Sequence, residues 1–255
     1  MPETDAAVRR LAERFGRRPV APEAKAGLVR TVFDSVARRY DLMNDLMSLG
    51  VHRLWKDALV DWLAPRPGQR HLDLAGGTGD VALRILARTA DTAEVTVCDI
   101  NPSMLAAGRD RAIDAGRLDR PLWACGAAEA LPFAARSFDS CTIAFGIRNC
   151  TRIDRVLTEA HRVLRPGGRF LCLEFSRVIL PGFDRVYDAY SDAVLPRLGA
   201  LVARDREAYT YLVESIRNFP DQDTFARLIA EAGFGQVRHR NLSGGIAAIH
   251  SAWRL

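Results

Sequence analysis

A glycine-rich turn is the part of the sequence whose residue types point most directly to chemistry. Residues 71–82 read HLDLAGGTGDVA, so a short apolar segment leads into closely spaced glycines. These glycines are Gly76, Gly77 and Gly79. Glycine permits positive φ and lets the backbone approach a ligand closely. Asp80 is placed to cap the helix that follows, whose amide end is slightly positive. The turn therefore predicts a cradle for a nucleotide or a nucleoside.

The turn alone does not decide which ligand is held. Gly77-x-Gly79-x-x-Ala82 satisfies the dinucleotide-binding pattern, and Asp99 lies about 20 residues further on, where a ribose-binding acid is expected. A carboxylate can accept hydrogen bonds from both hydroxyls of any adenosine ribose. The segment 127–133, AAEALPF, suits a flat adenine edge better than a second nucleotide half. These residues favour an adenosine cofactor other than a dinucleotide.

The elements that must position these residues alternate regularly through the middle of the chain. The apolar runs predict strands at 70–75, 94–99, 121–125, 138–145 and 169–175, and the spacing predicts helices near 80–90, 102–115 and 153–165. Pro166-Gly167-Gly168 is read as the stop of the last of these helices. Alternating βα units predict a parallel, doubly wound α/β sheet.

The end of the chain departs from that parallel pattern. Two final strands are predicted at 236–242 and 246–253, after a helix at 221–232. The residues between the two strands are too few for a crossover, so they must form an antiparallel hairpin.

The flanking regions are less regular. Residues 1–26 carry no long periodic pattern and are expected to form a partly mobile N-terminal arm, and residues 27–255 are read as one domain. Residues 27–65 begin with helical spacing and are rich in large side chains, so they form either a substrate lid or an ordinary packing collar. Residues 177–219 are read as a helical insertion after a strand end, where open α/β sheets bind ligands.

The motifs taken together resemble a known family. DLAGGTGD, the Asp99 strand end, AEALPF and LRPGGRFLCLEFS resemble the S-adenosylmethionine-dependent methyltransferase fold. Longer irregular segments, VFDSVARRYDLMNDLMSLGVHRLWK, FGIRNCTR, AYTYLVESIRNFPDQ and NLSGGIAAIH, resemble the C-methyltransferases of ubiquinone and menaquinone biosynthesis. The resemblance implies a seven-stranded Rossmann-like sheet, mostly parallel with the last strand antiparallel, and helices on both faces. It also implies C-methylation of a polyprenylated hydroquinone, either 2-polyprenyl-6-methoxy-1,4-benzoquinol or demethylmenaquinol or both.

Cofactor contacts follow from the resemblance position by position. It implies that S-adenosylmethionine is held by the glycine turn, by the ribose-binding acid and by residues after the third and fourth strands. The implied residues are Gly76, Gly77, Thr78, Asp99, Ala127, Ala128 and Ala144. The family often has Asn or Asp where Ala127 stands and Ser where Ala144 stands. Only backbone groups could serve at those two positions here.

Candidate catalytic residues lie after the fourth strand and in the lid. Arg148 and Asn149 are expected beside the methyl group, where Arg148 would stabilise a phenolate directly or through a water. The alternative is that Arg148 pairs with an acid such as Glu174 and holds the loop. Tyr40 either binds the ring hydroxyls, faces the cofactor or packs in the lid, and Tyr211 is a weaker candidate for substrate contact.

Further candidates are Arg217 for substrate contact and two histidines, His52 and His250, that could act as a base. A structural role is the alternative for all three. No metal is expected, because the methyl group of a sulfonium is already activated and the five cysteines show no ligand spacing.

Composition restricts the partners. The net charge of +5 comes from arginines spread along the chain, which argues against a nucleic-acid track and suits an anionic membrane surface. The absence of an apolar run near the roughly 18 residues of a spanning helix predicts a cytoplasmic protein, peripheral at most to the inner face of the membrane. A homodimer or a quinone-biosynthesis complex stays open.

Three other functions are alternatives to C-methylation of a quinol. A methyltransferase for a sterol or another small molecule would share the glycine turn and Asp99. A nicotinamide dehydrogenase would need a second nucleotide half, which the terminal hairpin argues against. A binding module without activity should lack polar residues such as Thr78 and Arg148 around the turn, and both are present.

Overall fold

The computed structural model of the chain describes residues 2–36, 45, 48, 50–179 and 206–255. Within these residues a small N-terminal unit precedes an α/β sheet domain. The N-terminal unit consists of helix α1 (Pro2–Ala12), a two-stranded hairpin of β1 (Arg14–Phe15) and β2 (Arg18–Pro19), and helix α2 (Pro22–Val36).

The sheet of the main domain has seven described strands, and they fall at the predicted positions. The strands are β3 (Arg70–Leu74), β4 (Glu94–Asp99), β5 (Leu122–Cys125), β6 (Phe138–Ala144), β7 (Leu164–Phe175), β8 (Gly235–Leu242) and β9 (Ala247–Trp253). The described helices of this domain are α3 (His52–Leu63), which precedes β3, and α4 (Asp80–Arg88), α5 (Pro102–Asp114), α6 (Ile153–Val163), α7 (Arg206–Asn218) and α8 (Gln222–Glu231).

The strand order is β5-β4-β3-β6-β7-β9-β8. Strands β3 to β7 pair in parallel, whereas β9 is antiparallel to both β7 and β8. The chain order reverses between β3 and β6, because β4 and β5 lie on one side of β3 and the later strands on the other. Ligands bind at such a switch point, outside the carboxyl ends of the strands. The predicted fold class, including the antiparallel last strand, is confirmed.

Two hydrophobic clusters cover the two faces of the sheet. Consecutive residues of β7 belong to different clusters, since Leu171 and Leu173 are in one and Phe170 and Cys172 are in the other. The first cluster includes residues of α3, α4 and α7, and the second includes residues of α6 and α8. Strands buried on both faces explain the continuous apolar runs in the sequence.

The N-terminal arm is the main departure from the sequence prediction. Residues expected to be irregular form α1, whose Thr4, Ala7 and Leu11 are buried. These three residues recur at helical spacing, but two of them are small or polar, so the apolar period is weak in the sequence. Charged contacts add to this packing, since Arg227 of α8 donates to Glu3 at 2.6 Å.

Two local predictions also need correction. The stop at Pro166-Gly167-Gly168 lies inside β7 rather than between helix and strand, because α6 already ends at Val163. A register shift on the neighbouring strand accommodates the irregular start. Asp80 does not cap α4; Gly79 is the N-cap, and the Asp80 carboxylate instead accepts a hydrogen bond from Lys56 of α3 at 2.8 Å.

Some predictions concern residues outside the described ranges. Tyr40 is one, and so is most of the insertion predicted over 177–219. Among the described residues, no helix has both the length and the apolar character required to cross a membrane.

Candidate active site

A cleft opens at the carboxyl ends of β3, β4, β5 and β6, directly at the switch point of the sheet. It is lined by residues that follow each of these four strands. Helix α2 lies across it and contributes Ala26, Val29, Arg30 and Phe33 to its wall. The predicted ligand-binding edge of the sheet therefore coincides with a cleft.

The glycine turn after β3 forms the floor of the cleft. Gly77, with φ of 54°, lines the cleft, and a Cβ there would lie 2.9 Å from Met104 Cε. A Cβ on Gly76 would lie 2.8 Å from Val97 Cγ1, and one on Gly79 would lie 2.8 Å from a ring carbon of Trp123. The turn can therefore approach both a ligand and β4 only because these positions are glycine.

Asp99 stands beside this turn at the end of β4. Its Oδ2 accepts a hydrogen bond from the amide of Gly77 at 2.8 Å, and its Oδ1 accepts one from the amide of Asn101 at 2.8 Å. Burial raises the pKa of this carboxyl, although its backbone hydrogen bonds act in the opposite direction. Each oxygen keeps a further lone pair, so the carboxylate can still accept from two hydroxyls of a ribose.

Apolar residues near Asp99 form the adjoining wall. Ile100, Met104 and Ala128 line the cleft. They provide a dry surface of the kind that a flat adenine ring requires. Sequence analysis did not single out Ile100 or Met104, because an apolar residue after a strand looks like ordinary core.

The opposite wall is the segment after β6, and its backbone is strained. Phe145 has φ of 57°, and Ala75, after β3, has φ of 49°. Positive φ in a non-glycine residue costs energy and tends to occur at functional sites. Gly146 allows these two strand ends to meet, since a Cβ on it would lie 2.7 Å from Ala75 Cβ. Phe145, Gly146 and Asn149 all line the cleft.

Arg148 belongs to this segment but does not face the cleft. It is 2% exposed, and its Nη1 donates to Glu174 Oε1 at 2.6 Å and to the carbonyl of Phe145 at 2.7 Å. Its Nε donates to Ser215 at 3.3 Å. Burial raises the pKa of Glu174, and the charge of Arg148 partly offsets that effect. The alternative weighed for Arg148, a pair with Glu174 that holds the loop, is the arrangement found.

The side-chain amide of Asn149 has two partners within the protein. The hydroxyl of Tyr211 in α7 donates to Asn149 Oδ1 at 3.0 Å, and Asn149 Nδ2 faces the carbonyl of Phe145 at 3.5 Å. Tyr211 itself is 3% exposed. Of the two residues predicted after the fourth strand, Asn149 lines the cleft and Arg148 does not.

Helix α2 is fastened over the cleft at two places. Asn101 Nδ2 donates to Asp34 Oδ1 at 2.9 Å. Lys25, which is 2% exposed, donates to the carbonyls of Leu11 and Cys150 at 2.6 and 3.0 Å. Burial lowers the pKa of Lys25 to about 8, although nearby acidic groups act to raise it. These contacts fit the lid interpretation of the region around α2.

The remaining predicted residues lie around the cleft rather than in its wall. Thr78 is 2% exposed, and its hydroxyl accepts from Arg111 at 3.3 Å instead of facing the cleft. Gly76, Ala127 and Ala144 are also outside the wall that the described residues form. His250 is buried and contacts the carbonyl of Gln222 at 2.9 Å.

Four further residues of the cleft wall were not predicted from the sequence, and they lie in the segments after β5 and β6. They are Gly126, Glu129, Cys150 and Thr151. Glu129 Oε1 accepts from the amide of Thr151 at 3.0 Å, which joins the segment after β5 to the segment after β6. AEALPF and FGIRNCTR were both singled out as motifs, but sequence could not indicate that they contact each other.

Comparison with known proteins identifies the relatives of this chain. The profile of the ubiE/COQ5 methyltransferase family matches residues 20–254. The chain is 61% identical over 241 residues to the "Ubiquinone/menaquinone biosynthesis C-methyltransferase UbiE" of Paracoccus denitrificans, covering 94% of this chain and 96% of that protein. It is 57% identical over 243 residues to the protein of the same name from Brucella abortus, covering 94% and 90%.

Solved structures show the same fold at low sequence identity. A SAM-dependent methyltransferase from Thermotoga maritima aligns with a TM-score of 0.63 and 18% identity, over 89% of this chain and all of that one. Phosphoethanolamine N-methyltransferase 2 of Haemonchus contortus, solved with S-adenosyl-L-methionine, aligns with a TM-score of 0.56 and 16% identity, over 78% and 52% of the two chains.

Proposed function

Because the chain belongs to the ubiE/COQ5 methyltransferase family, we propose that it transfers the methyl group of S-adenosylmethionine to a ring carbon of a polyprenylated hydroquinone. The observation that carries this proposal is the identity shared along nearly the whole chain with two relatives, both named ubiquinone/menaquinone biosynthesis C-methyltransferases. The proposed acceptor is 2-polyprenyl-6-methoxy-1,4-benzoquinol or demethylmenaquinol or both.

The residues of the cleft fit the proposed cofactor. Gly77 would admit the amino-acid end, Asp99 would accept from the ribose hydroxyls, and Ile100, Met104 and Ala128 would cover the adenine. When bound, S-adenosylmethionine would supply an electrophilic methyl group: its carbon–sulfur bond breaks as the new carbon–carbon bond forms, S-adenosylhomocysteine leaves, and the proton of the methylated ring carbon is lost to water. Such a displacement is accelerated mainly by holding the reactants in line.

The segment after β6 holds the acceptor ring. The amide of Asn149 donates to a ring oxygen, which orients the neighbouring carbon toward the methyl group and stabilises negative charge on that oxygen. Arg148 contributes through the backbone, since it fixes the strained Phe145 by hydrogen bonding to its carbonyl. Tyr40, outside the described residues, stays a candidate for contact with the ring hydroxyls.

The acceptor determines where the protein acts. A polyprenyl tail stays in the bilayer, so the chain works at the inner membrane surface, and its net charge of +5 supports attraction to anionic lipid. Flotation with vesicles containing an anionic phospholipid tests this part of the proposal. Binding that weakens as salt is added is expected, and no binding at low salt would contradict it.

Methyl transfer is tested with the purified protein, S-adenosylmethionine and each quinol, reduced and dispersed in detergent. The expected product carries one additional methyl group on the ring, identified by mass spectrometry, and it is lost with Asp99→Ala. A chain that methylates neither quinol while binding the cofactor normally would overturn the acceptor. A comparison of the two quinols also shows which one the enzyme prefers.

A further inference from the structure

The hairpin formed by β1 and β2 docks on one face of α7. The ring of Phe15 stacks on that of Tyr211 with centroids 4.2 Å apart and planes 16° apart. At the hairpin turn, the amide of Arg17 donates to Glu214 Oε2 at 2.8 Å, and Asn218 Nδ2 donates to the carbonyl of Gly16 at 2.6 Å. Positions 211, 214 and 218 share one helical face, so the hairpin contacts a single face of α7.

The turn of this hairpin is adapted to that contact. Gly16 is buried and has φ of 61°, as required at the first position of a two-residue hairpin turn. A Cβ at this position would collide with the Glu214 side chain. The docking is therefore a specific contact at close range, and it places Phe15 flat against Tyr211.

Tyr211 connects the hairpin to Asn149, a residue of the cleft wall. Its hydroxyl donates to Asn149 Oδ1, while the other restraint on that amide, to the carbonyl of Phe145, is long at 3.5 Å. Burial raises the pKa of Tyr211, so the hydroxyl stays protonated and remains a donor. Tyr211 engages the oxygen of the amide and the nitrogen contacts the carbonyl of Phe145, so one N–H of Asn149 is left for an acceptor oxygen in the cleft that this residue lines. An amide turned the other way would present its oxygen and repel a phenolate.

We propose that the N-terminal hairpin is a positioning element for methyl transfer, in which Phe15 holds Tyr211 and Tyr211 holds the amide of Asn149 toward the acceptor ring. This inference rests on the proposed function, because it assigns the amide to the acceptor. Residues 14–19 lie outside the region that the family profile matches, which begins at residue 20.

The contacts from Phe15 through Tyr211 to Asn149 are tested by measuring turnover of the protein with quinol. A misplaced amide should affect the chemical step more than cofactor binding, so Phe15→Ala is expected to lower kcat roughly 10-fold with KM for S-adenosylmethionine changed less than about twofold. Tyr211→Phe, which keeps the ring and removes the hydroxyl, should lower kcat similarly. Phe15→Tyr, which keeps the stacked ring, should restore activity.

The double variant separates positioning from general weakening of the fold. If Phe15 acts through the Tyr211 hydroxyl, Phe15→Ala/Tyr211→Phe should be no slower than Tyr211→Phe alone. Glu3→Gln is the matched control, because it removes an exposed contact of the same N-terminal unit to α8 rather than to α7. Fully multiplicative effects, or an equal loss in Glu3→Gln, would overturn the proposal.

A second readout does not depend on turnover. The side-chain amide resonance of Asn149 in the ¹⁵N-labelled protein should shift in Phe15→Ala and in Tyr211→Phe but not in Glu3→Gln. An Asn149 resonance unmoved by Phe15→Ala would overturn the link between the hairpin and the cleft. If instead the wild-type protein methylates neither quinol but the resonance shifts as expected, the proposed acceptor fails while the positioning link holds.

Discussion

At the scale of single residues, Arg148 links a buried ion pair to the strained backbone beside the cleft. Its guanidinium donates to the carboxylate of Glu174 and to the carbonyl of Phe145, whose φ is 57°. A buried pair adds little net stability relative to an apolar replacement, but breaking it leaves one charge uncompensated. The pair therefore holds a geometry that the backbone would not adopt unaided.

Arg148→Met is expected to destabilise the protein because Glu174 then stays buried without its cation. The unfolding free energy, measured by urea denaturation, should fall by about 3–5 kcal/mol, the usual cost of breaking a buried pair. Arg148→Met/Glu174→Gln should recover part of this loss. The control Arg152→Met removes a half-exposed arginine four positions further along the chain and should have little effect. Equal stability of Arg148→Met and the control would contradict the account.

The position of the site could be predicted from the sequence better than the direction in which its side chains turn. Gly77, Asp99 and Asn149 follow strand ends, and strand ends are readable from apolar runs, so these residues were found. Thr78 and Arg148 were also found, but whether a polar side chain turns toward the cleft or toward a buried partner depends on contacts from distant segments. For the same reason the joining of Glu129 to Thr151 could not be foreseen.

At the scale of elements, α2 acts as the cover of the cleft. Its Asp34 accepts from Asn101, the residue that also caps α5 by accepting from the amides of Ser103 and Met104. Asn101 in turn donates its own amide to Asp99. The cover is thus fastened to the residue next to the ribose-binding carboxylate, and its attachment should influence how long a cofactor stays bound.

Asp34→Ala is expected to release the cofactor faster. A hydrogen bond to a charged group contributes about 1.5–3 kcal/mol, so even partial loss should raise the dissociation rate of S-adenosylmethionine roughly 10-fold in stopped-flow measurements. Glu23→Ala changes an exposed acid on the same helix and serves as the control. An unchanged dissociation rate in Asp34→Ala would show that α2 does not act as a cover.

Elements with a strong apolar period were predictable, and the others were not. The strands and helices between β3 and β9 were placed within a few residues, because each buries a continuous apolar face. Helix α1 was missed because its buried positions include Thr4 and Ala7 and its stability depends on α8, which is far away in sequence. The hairpin of β1 and β2 is too short to produce any period.

At the scale of the whole molecule, buried titratable groups determine how stability depends on pH. Burial lowers the pKa values of His52, His71 and His250 to about 4. Burial raises the pKa of Asp73 to about 7, although hydrogen bonds from Thr142 and an amide act against this shift. The two kinds of group affect stability in opposite directions.

The protein is expected to lose stability as the pH falls from about 6.5 toward 4. In this window the histidines bind protons in the unfolded chain but not in the folded protein, which favours unfolding. Asp73 opposes this, since its contribution is present at low pH and is lost as the pH rises through about 7. Asp99 and Glu174, whose pKa values burial also raises, oppose it in the same direction. Amide hydrogen bonds to both carboxyls and the charge of Arg148 beside Glu174 limit these two shifts, so a net loss on acidification is expected.

Urea denaturation at pH 7 and pH 5 measures this dependence, and Asp73→Asn tests the sign of the opposing group. The variant should lose stability more steeply than the wild type between these two pH values, because a group that favours the folded state on acidification has been removed. A wild-type protein equally stable at both pH values, or a flatter dependence in Asp73→Asn, would contradict the assignment.

The central claim is that the cleft holds S-adenosylmethionine with Asp99 on its ribose, and calorimetric titration tests it most directly. The wild-type protein should bind S-adenosylmethionine and not NAD. Asp99→Ala should weaken that binding by roughly 10-fold to 100-fold, since it removes a charged acceptor of two hydrogen bonds. Exposed Asp110→Ala, on the same side of the sheet in α5, should bind like the wild type. Binding of NAD in preference, or equal affinity for S-adenosylmethionine in Asp99→Ala and the wild type, would contradict the account.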